Sequence, residues 1–158
     1  MNSLVINLML AVIWMLLQRE LSLVNFAIGF LLGFAMLWLF RPVLGNGDYV
    51  RRSWGLIGYL AIFTRGFLVS CWKIGVDALT ARMGPLQPRL ITYNVAGLTR
   101  FEILLLSHSI SLTPGSTTVE VSADFSTFVI HVFNTRDPDA VRAEIDRTLR
   151  RGILAFTR

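Results

Sequence analysis

Between Asn2 and Phe40 the chain carries only two ionisable side chains, Arg19 and Glu20, and they are adjacent. Helices formed on either side of that pair would be apolar all round, which suits lipid and not a water-facing surface. Ser3 to Leu17 is one apolar run and Leu21 to Phe40 the next. As a helix the second is about 30 Å long, the thickness of a bilayer's hydrocarbon core. The first is slightly short, yet it lacks the basic start and small-residue cleavage pattern of a signal peptide, so it is expected to be retained and to span. Gln18, Arg19 and Glu20 leave room only for a tight turn, which predicts an antiparallel membrane hairpin with helices over 3–17 and 21–40.

Composition agrees with an anchor followed by a domain. Hydrophobic residues make up 54% of the 158, mean hydropathy is +0.59 and only 16% are charged, against about 25% charged in ordinary soluble domains. From Thr80 to Arg158, by contrast, there are nine arginines and seven acids, nine minus seven giving +2. The net charge of +5 is therefore diffuse, without the basic face that nucleic acid requires. It fits instead an excess of cations at the cytoplasmic leaflet. Arg41, Arg51 and Arg52 follow the second run with only Asp48 opposing them, whereas Glu20 cancels Arg19 at the tip, so both ends of the hairpin are placed inside. Pro42 to Asp48 reads as a loop at that surface. The single cysteine, Cys71, reads as a small apolar residue of a helix.

Residues 53–79 admit two readings. Leu56, Leu60, Phe63, Phe67, Cys71, Ile74 and Ala78 recur at helical period, while Arg65, Lys73 and Asp77 interrupt the other faces. A crossing helix would hold Arg65 near mid-membrane, at about 2.5 to 3.5 kcal/mol on insertion scales. Basic residues also flank it on both sides, Arg51 and Arg52 before and Arg82 and Arg89 after. The preferred reading is an amphipathic interfacial helix, the alternative a third span, with Arg41, Arg51, Arg52, Arg65 and Lys73 meeting lipid headgroups or a partner. Either way residues 1–84 form the membrane domain.

Asn25, Gly29 and Gly33 fall at intervals of four, and small residues so spaced let helix backbones approach closely in lipid. Neither run has an ionisable residue in its interior, although proton and cation relays across a membrane need such groups. The chain alone is thus a poor candidate for an ion path.

After Pro85 and Pro88 the hydrophobic period becomes alternating, opening a domain over 85–158. Leu90 to Val95 reads as a strand. Thr99 and Glu102 form a capping-box pattern before a helix running to about Leu112, which Thr113, Pro114 and Gly115 end as a structural turn. Thr117–Ser122 and Thr127–Phe133 alternate and would pair through Ala123 to Ser126. A last helix starts at Asp137 and Pro138 with Val141, Ile145 and Leu149 on one stripe, acids early and arginines late. The order is βαββα: a small cytoplasmic α+β domain with helices on one face of a sheet.

No reacting constellation emerges, so no enzyme, cofactor or metal is expected. His108 and His131 have no Cys, Asp or Glu at ligand spacing, and no phosphate-binding glycine loop or Gly-x-Ser-x-Gly occurs. Ser107, His108 and Ser109 are consecutive in a helix and point apart.

The stretch from Glu102 through Leu112-Thr-Pro-Gly to Val121, followed by Phe128-Val-Ile-His-Val, closely resembles the E subunit of Mrp-type (Mnh or Pha) multisubunit cation/proton antiporters. The resemblance extends over nearly the whole chain, with Trp14, Asn25-Phe-Ala-Ile-Gly-Phe, Gly33 and Arg41; Ser111 and Ser116 stand where that family usually has Thr. It implies a bacterial inner-membrane complex exchanging sodium or potassium for protons, with this chain a non-catalytic accessory subunit needed for assembly or stability and other membrane subunits as partners. No ion-binding residue is carried over. A different class of function, a stand-alone membrane-tethered adaptor that recruits a soluble partner, is also compatible with the residues.

Overall fold

A computed structural model describes residues 3–45, 47–79 and 87–158. Arg82, Pro85 and the side chain of Asp77 lie outside the described residues. The chain is mostly helical with one small antiparallel sheet, and it divides into two compact units, up to Trp54 and from Gly55 onward.

In the first unit, α1 (Ser3–Leu17) and α2 (Leu23–Leu39) pack along each other. Arg19 turns the chain in a left-handed conformation, φ 56°, and Ser22 caps α2 by accepting from the Asn25 amide at 3.1 Å. Ala11, Leu37 and Val50 are buried, whereas most large apolar side chains of both helices are exposed. The expected loop over Pro42–Asp48 is nearly absent. Pro42 starts a short helix, α3 (Arg41–Leu44), Gly45 ends it at φ 63°, and α4 (Gly47–Leu79) begins two residues later. Pro42 favours this because its fixed φ suits a first helical turn.

With 33 residues α4 is about 50 Å long, starting six residues before the predicted Ser53. Among the described residues it contains the one helix segment, Gly47–Val76, long and apolar enough to cross a membrane; α1 and α2 are shorter apolar helices.

The second unit is built on a sheet of order β1-β3-β2, with β1 (Arg89–Asn94), β2 (Ser116–Val121) and β3 (Thr127–Val132) all antiparallel. Phe128, Ile130 and Val132 alternate onto the buried face, joined by Ile91 and Tyr93 of β1. Ile103, Leu106 and Ile110 of α5 (Arg100–Leu112) cover that face, with Ile145, Leu149 and Ile153. The last three come from a continuous helical run: α6 (Pro138–Ile145), a π-turn (Asp146–Arg150) and α7 (Arg151–Thr157). Asp137 caps it, accepting from the amides of Asp139 and Ala140. The π-turn is unforeseen in the sequence, which carries no proline or glycine there.

Both sheet edges are met by side chains. Arg142 Nε donates to Thr92 O at 2.8 Å and Arg150 to Asn94 O at 3.2 Å along β1, while the Thr118 amide of β2 donates to Ser111 Oγ at 3.2 Å. These bonds take up part of each edge's hydrogen-bonding groups.

Candidate functional site

Two sets of residues stand out, one in each unit. In the first, Gly29 and Gly33 are buried against α1. A Cβ at Gly29 would lie 2.7 Å from Trp14 Cβ and 3.0 Å from Ala11 Cα; one at Gly33 would run into Asn7 Oδ1 and lie 3.1 Å from Leu10 Cβ. At Gly29 the helix backbones meet at a distance only glycine allows, and at Gly33 the room is taken by Asn7 and Leu10 side chains. Asn25 is elsewhere: its amide nitrogen donates to Glu20 O at 3.3 Å and so ties down the turn.

Beside Gly33 lies a polar contact that sequence reasoning missed. Asn7 is fully buried and donates to Tyr49 Oη at 2.9 Å, and the Tyr49 ring stands edge-on to Phe34 at 5.9 Å. Asn7 Oδ1 and Trp14 Nε1 are buried and lack a hydrogen-bond partner among the described residues. No ionisable side chain lies within α1 or α2.

In the second unit, α4 packs on the sheet-and-helix body through residues that differ from the expected stripe. Leu56, Leu60 and Phe67 are exposed, whereas Tyr59 is in the core with Phe63 beside it. Tyr59 donates to Ser109 Oγ at 2.5 Å, because the Ser109 hydrogen is already given to Leu105 O at 2.6 Å. The Tyr59 ring is 5.5 Å from that of Phe156. Close approach is again through glycine: a Cβ at Gly55 would lie 2.6 Å from Ala155 O, and one at Gly152 2.8 Å from Tyr59 Cδ2. The spacing Gly55, Tyr59, Phe63 is the available signal, hidden by larger aliphatic residues on the adjacent face.

Glu102 is legible in the sequence only as a helix cap. The capping box is present, with Thr99 N donating to Glu102 Oε2 at 2.7 Å. But the side chain is only 2% exposed, and it also accepts from Thr157 Oγ1 at 2.7 Å and from Arg158 at 3.1 and 3.2 Å. The Arg158 guanidinium, above all, holds its carboxyl at about 2, well below the usual range. Burial, reinforced by the Asp146 carboxylate at 2.6 Å, pushes the Tyr93 phenol up to about 12.

Arg41, Arg51, Arg52, Arg65 and Lys73 are all exposed; Arg51 pairs with Asp48 at 3.5 Å. The Thr113-Pro114-Gly115 turn is built as a cap: Thr113 Oγ1 donates to Ser109 O at 2.9 Å, Ser116 Oγ to Ile110 O at 3.0 Å, and Gly115, at φ 100°, takes the Phe133 amide on its carbonyl at 2.9 Å. His108 is tied to Leu104 O at 3.0 Å, and His131 lies opposite Leu90 and Thr117 in the sheet. Among the described residues no three His, Cys, Asp or Glu side chains gather as a metal cluster.

Comparison with known proteins sets the class. Residues 7–156 match the family model described as Na+/H+ ion antiporter subunit, and the chain belongs to that family, a component of a transporter. More particularly, it is similar to the E subunit of the Na(+)/H(+) antiporter of Alkalihalophilus pseudofirmus, 29% identical over 156 residues, with 99% of this chain and 98% of the relative covered. The resemblance read from residues 102–121 and 128–132 agrees with this. Among solved structures, a chain of the membrane-bound sulfane sulfur reductase, an archaeal respiratory membrane complex, shares the fold at a TM-score of 0.57 and 18% identity, with 96% of each chain covered. A chain of the Mrp complex from Dietzia sp. is 22% identical at a TM-score of 0.45, covering 63% of this chain and 96% of that one.

Proposed function

We propose that this chain is a non-conducting structural subunit of a multisubunit monovalent cation/proton antiporter of the bacterial inner membrane, required for assembly or stability of the complex. One observation carries the reading: α1 and α2 are joined by glycine-to-backbone contact and contain no ionisable group, so they pack well and conduct nothing. The helix pair is the membrane hairpin, with its exposed apolar side chains facing lipid or the larger subunits that hold the ion path.

Gly55, Tyr59 and Phe63 of α4 lie against the sheet-and-helix body, and further residues as far as Ile74 line a cavity beside it, so the body accompanies about 30 Å of the helix. That body exposes Arg136, Asp137, Asp139, Glu144, Arg147 and Arg151, and so belongs in water. One stretch of helix cannot cross 30 Å of hydrocarbon and carry a water-soluble domain along the same length. This favours α4 lying along the cytoplasmic interface, with exposed Trp54, Ile57, Leu68 and Trp72 turned to lipid and the α+β domain on the cytoplasmic side.

Single cysteines at Ser53 and Leu79, in a Cys71→Ser background, test the topology. Labelling of both by an impermeant reagent only from the cytoplasmic side is expected; labelling from opposite sides refutes it. Gentle detergent extraction tests the role. Co-migration with large polytopic subunits is expected, and a small monodisperse particle carrying a soluble partner would instead identify the adaptor.

A further inference from the structure

In the second unit, α4 and the α6–α7 run touch at Gly55 and Gly152 and then splay apart, leaving a cavity of about 440 Å³ along α4. Its walls include Phe63 and Gly66 of α4 with Ile110 and Leu149 of the core, while Lys73 and Glu144 stand at its exposed side. Neither charged side chain makes an ion pair with another described residue. The volume falls within the range of about 300 to 1,000 Å³ typical of small-molecule sites.

We propose that this cavity binds a zwitterionic phospholipid, with an acyl chain against Phe63, Ile110 and Leu149, the phosphate at Lys73 and the ammonium at Glu144. The inference rests on the reading of α4 as an interfacial helix, in which exposed Ile62 and Val69 at the cavity's edge lie next to the lipid-facing side chains. Charge chooses the occupant. A simple anion would meet Glu144 and a simple cation Lys73, whereas a headgroup carrying both signs satisfies each, and a purely apolar ligand would leave both unused.

Gly66 provides the test. An added Cβ there meets nothing within 4 Å, so Gly66→Phe introduces a side chain at the cavity wall without a clash at its Cβ. The full chain in mild detergent is exposed to dioleoyl phosphatidylethanolamine, dioleoyl phosphatidylglycerol or glycerophosphoethanolamine, and bound lipid is read by native mass spectrometry. Retention of phosphatidylethanolamine is expected to exceed that of the other two, to vanish in Gly66→Phe, and to weaken about tenfold in Lys73→Gln and in Glu144→Gln, the scale of one charge-assisted hydrogen bond. Equal retention of the three, or retention unchanged in all three variants, overturns the proposal. Were Gly66→Phe to misfold by circular dichroism, the two surface charge variants decide alone. Loss of lipid selectivity with cytoplasmic labelling intact at Ser53 and Leu79 rejects the cavity site and leaves the topology standing.

Discussion

Replacing Glu102 by Gln isolates the strongest electrostatic contribution in the α+β domain. The carboxylate is only 2% exposed and is held at about 2 by Arg158 and its other donors, against an ordinary value of 4.5. A depressed folded-state value means the charged form is favoured on folding. Its stabilisation is complete above the unfolded value and is lost as pH falls from about 5 towards 2. The difference corresponds to roughly 3 kcal/mol, at about 1.4 kcal/mol per pH unit. Glu102→Gln keeps the volume but turns an amide nitrogen, in place of a charged oxygen, towards the donors of Thr157 or Arg158. It is therefore expected to cost about 3 kcal/mol at pH 7 and about 1.4 kcal/mol at pH 3, where the wild-type chain has already lost more than half of the benefit. Amide hydrogen exchange of α5 and β3 in the detergent-solubilised chain measures this locally, without the tryptophans, all of which precede residue 73. A deficit that stays constant from pH 7 to 3 would refute the assignment of the charge to this network.

Gly33→Leu drives a side chain into Asn7 and Leu10, and at about 1 to 3 kcal/mol of overpacking the recovered complex should fall; unchanged yield on blue-native gels removes the packing role. Gly152→Val meets the Tyr59 ring and should cost about 2 kcal/mol, seen as faster exchange of amides around Tyr59 with the β1–β3 pairing protected. Tyr59→Phe leaves Ser109 Oγ without its donor at a cost of about 1 kcal/mol, so a variant as stable as the parent in urea would show that bond to be unimportant.

What can be read from the sequence is set by local rules. The Thr99–Glu102 box, the Asp137–Pro138 start, the Pro114–Gly115 stop and the alternation of Phe128, Ile130 and Val132 are short-range signals, and each element sits within a residue or two of its expected place. Gly29 and Gly33 are legible for the same reason, as residues spaced for one helix face. Partners distant in sequence are not: Arg158 reaching Glu102, Tyr49 reaching Asn7 and Tyr59 reaching Ser109 are 56, 42 and 50 residues apart. Periodicity states that a face is apolar but not what covers it. The stripe with the larger side chains, Leu56, Leu60 and Phe67, has the stronger apolar signal, yet the packed side is that of Gly55 and Tyr59, where small residues admit a neighbouring backbone.

That choice of face reconciles the proposed surface placement of α4 with a mean hydropathy high enough for a membrane span. Average hydropathy sums the whole circumference, and here two different apolar demands contribute to it. One side, Tyr59 and Phe63, is consumed by the chain's own core; the opposite side keeps Trp54, Ile57, Leu68 and Trp72 exposed. Subtract the covered side and the exposed apolar side chains, Leu56, Leu60 and Phe67 as well as those four, share the remaining surface with exposed Arg51, Arg52, Arg65 and Lys73, a mixture suited to the headgroup level. On this reading Arg65 needs no buried carboxylate, since its stem can lie on lipid while the guanidinium reaches water. Under the proposed placement the α+β domain also gains a use: a helix held flat by a domain on one side and lipid on the other resists rotation, and would offer neighbouring subunits a fixed surface.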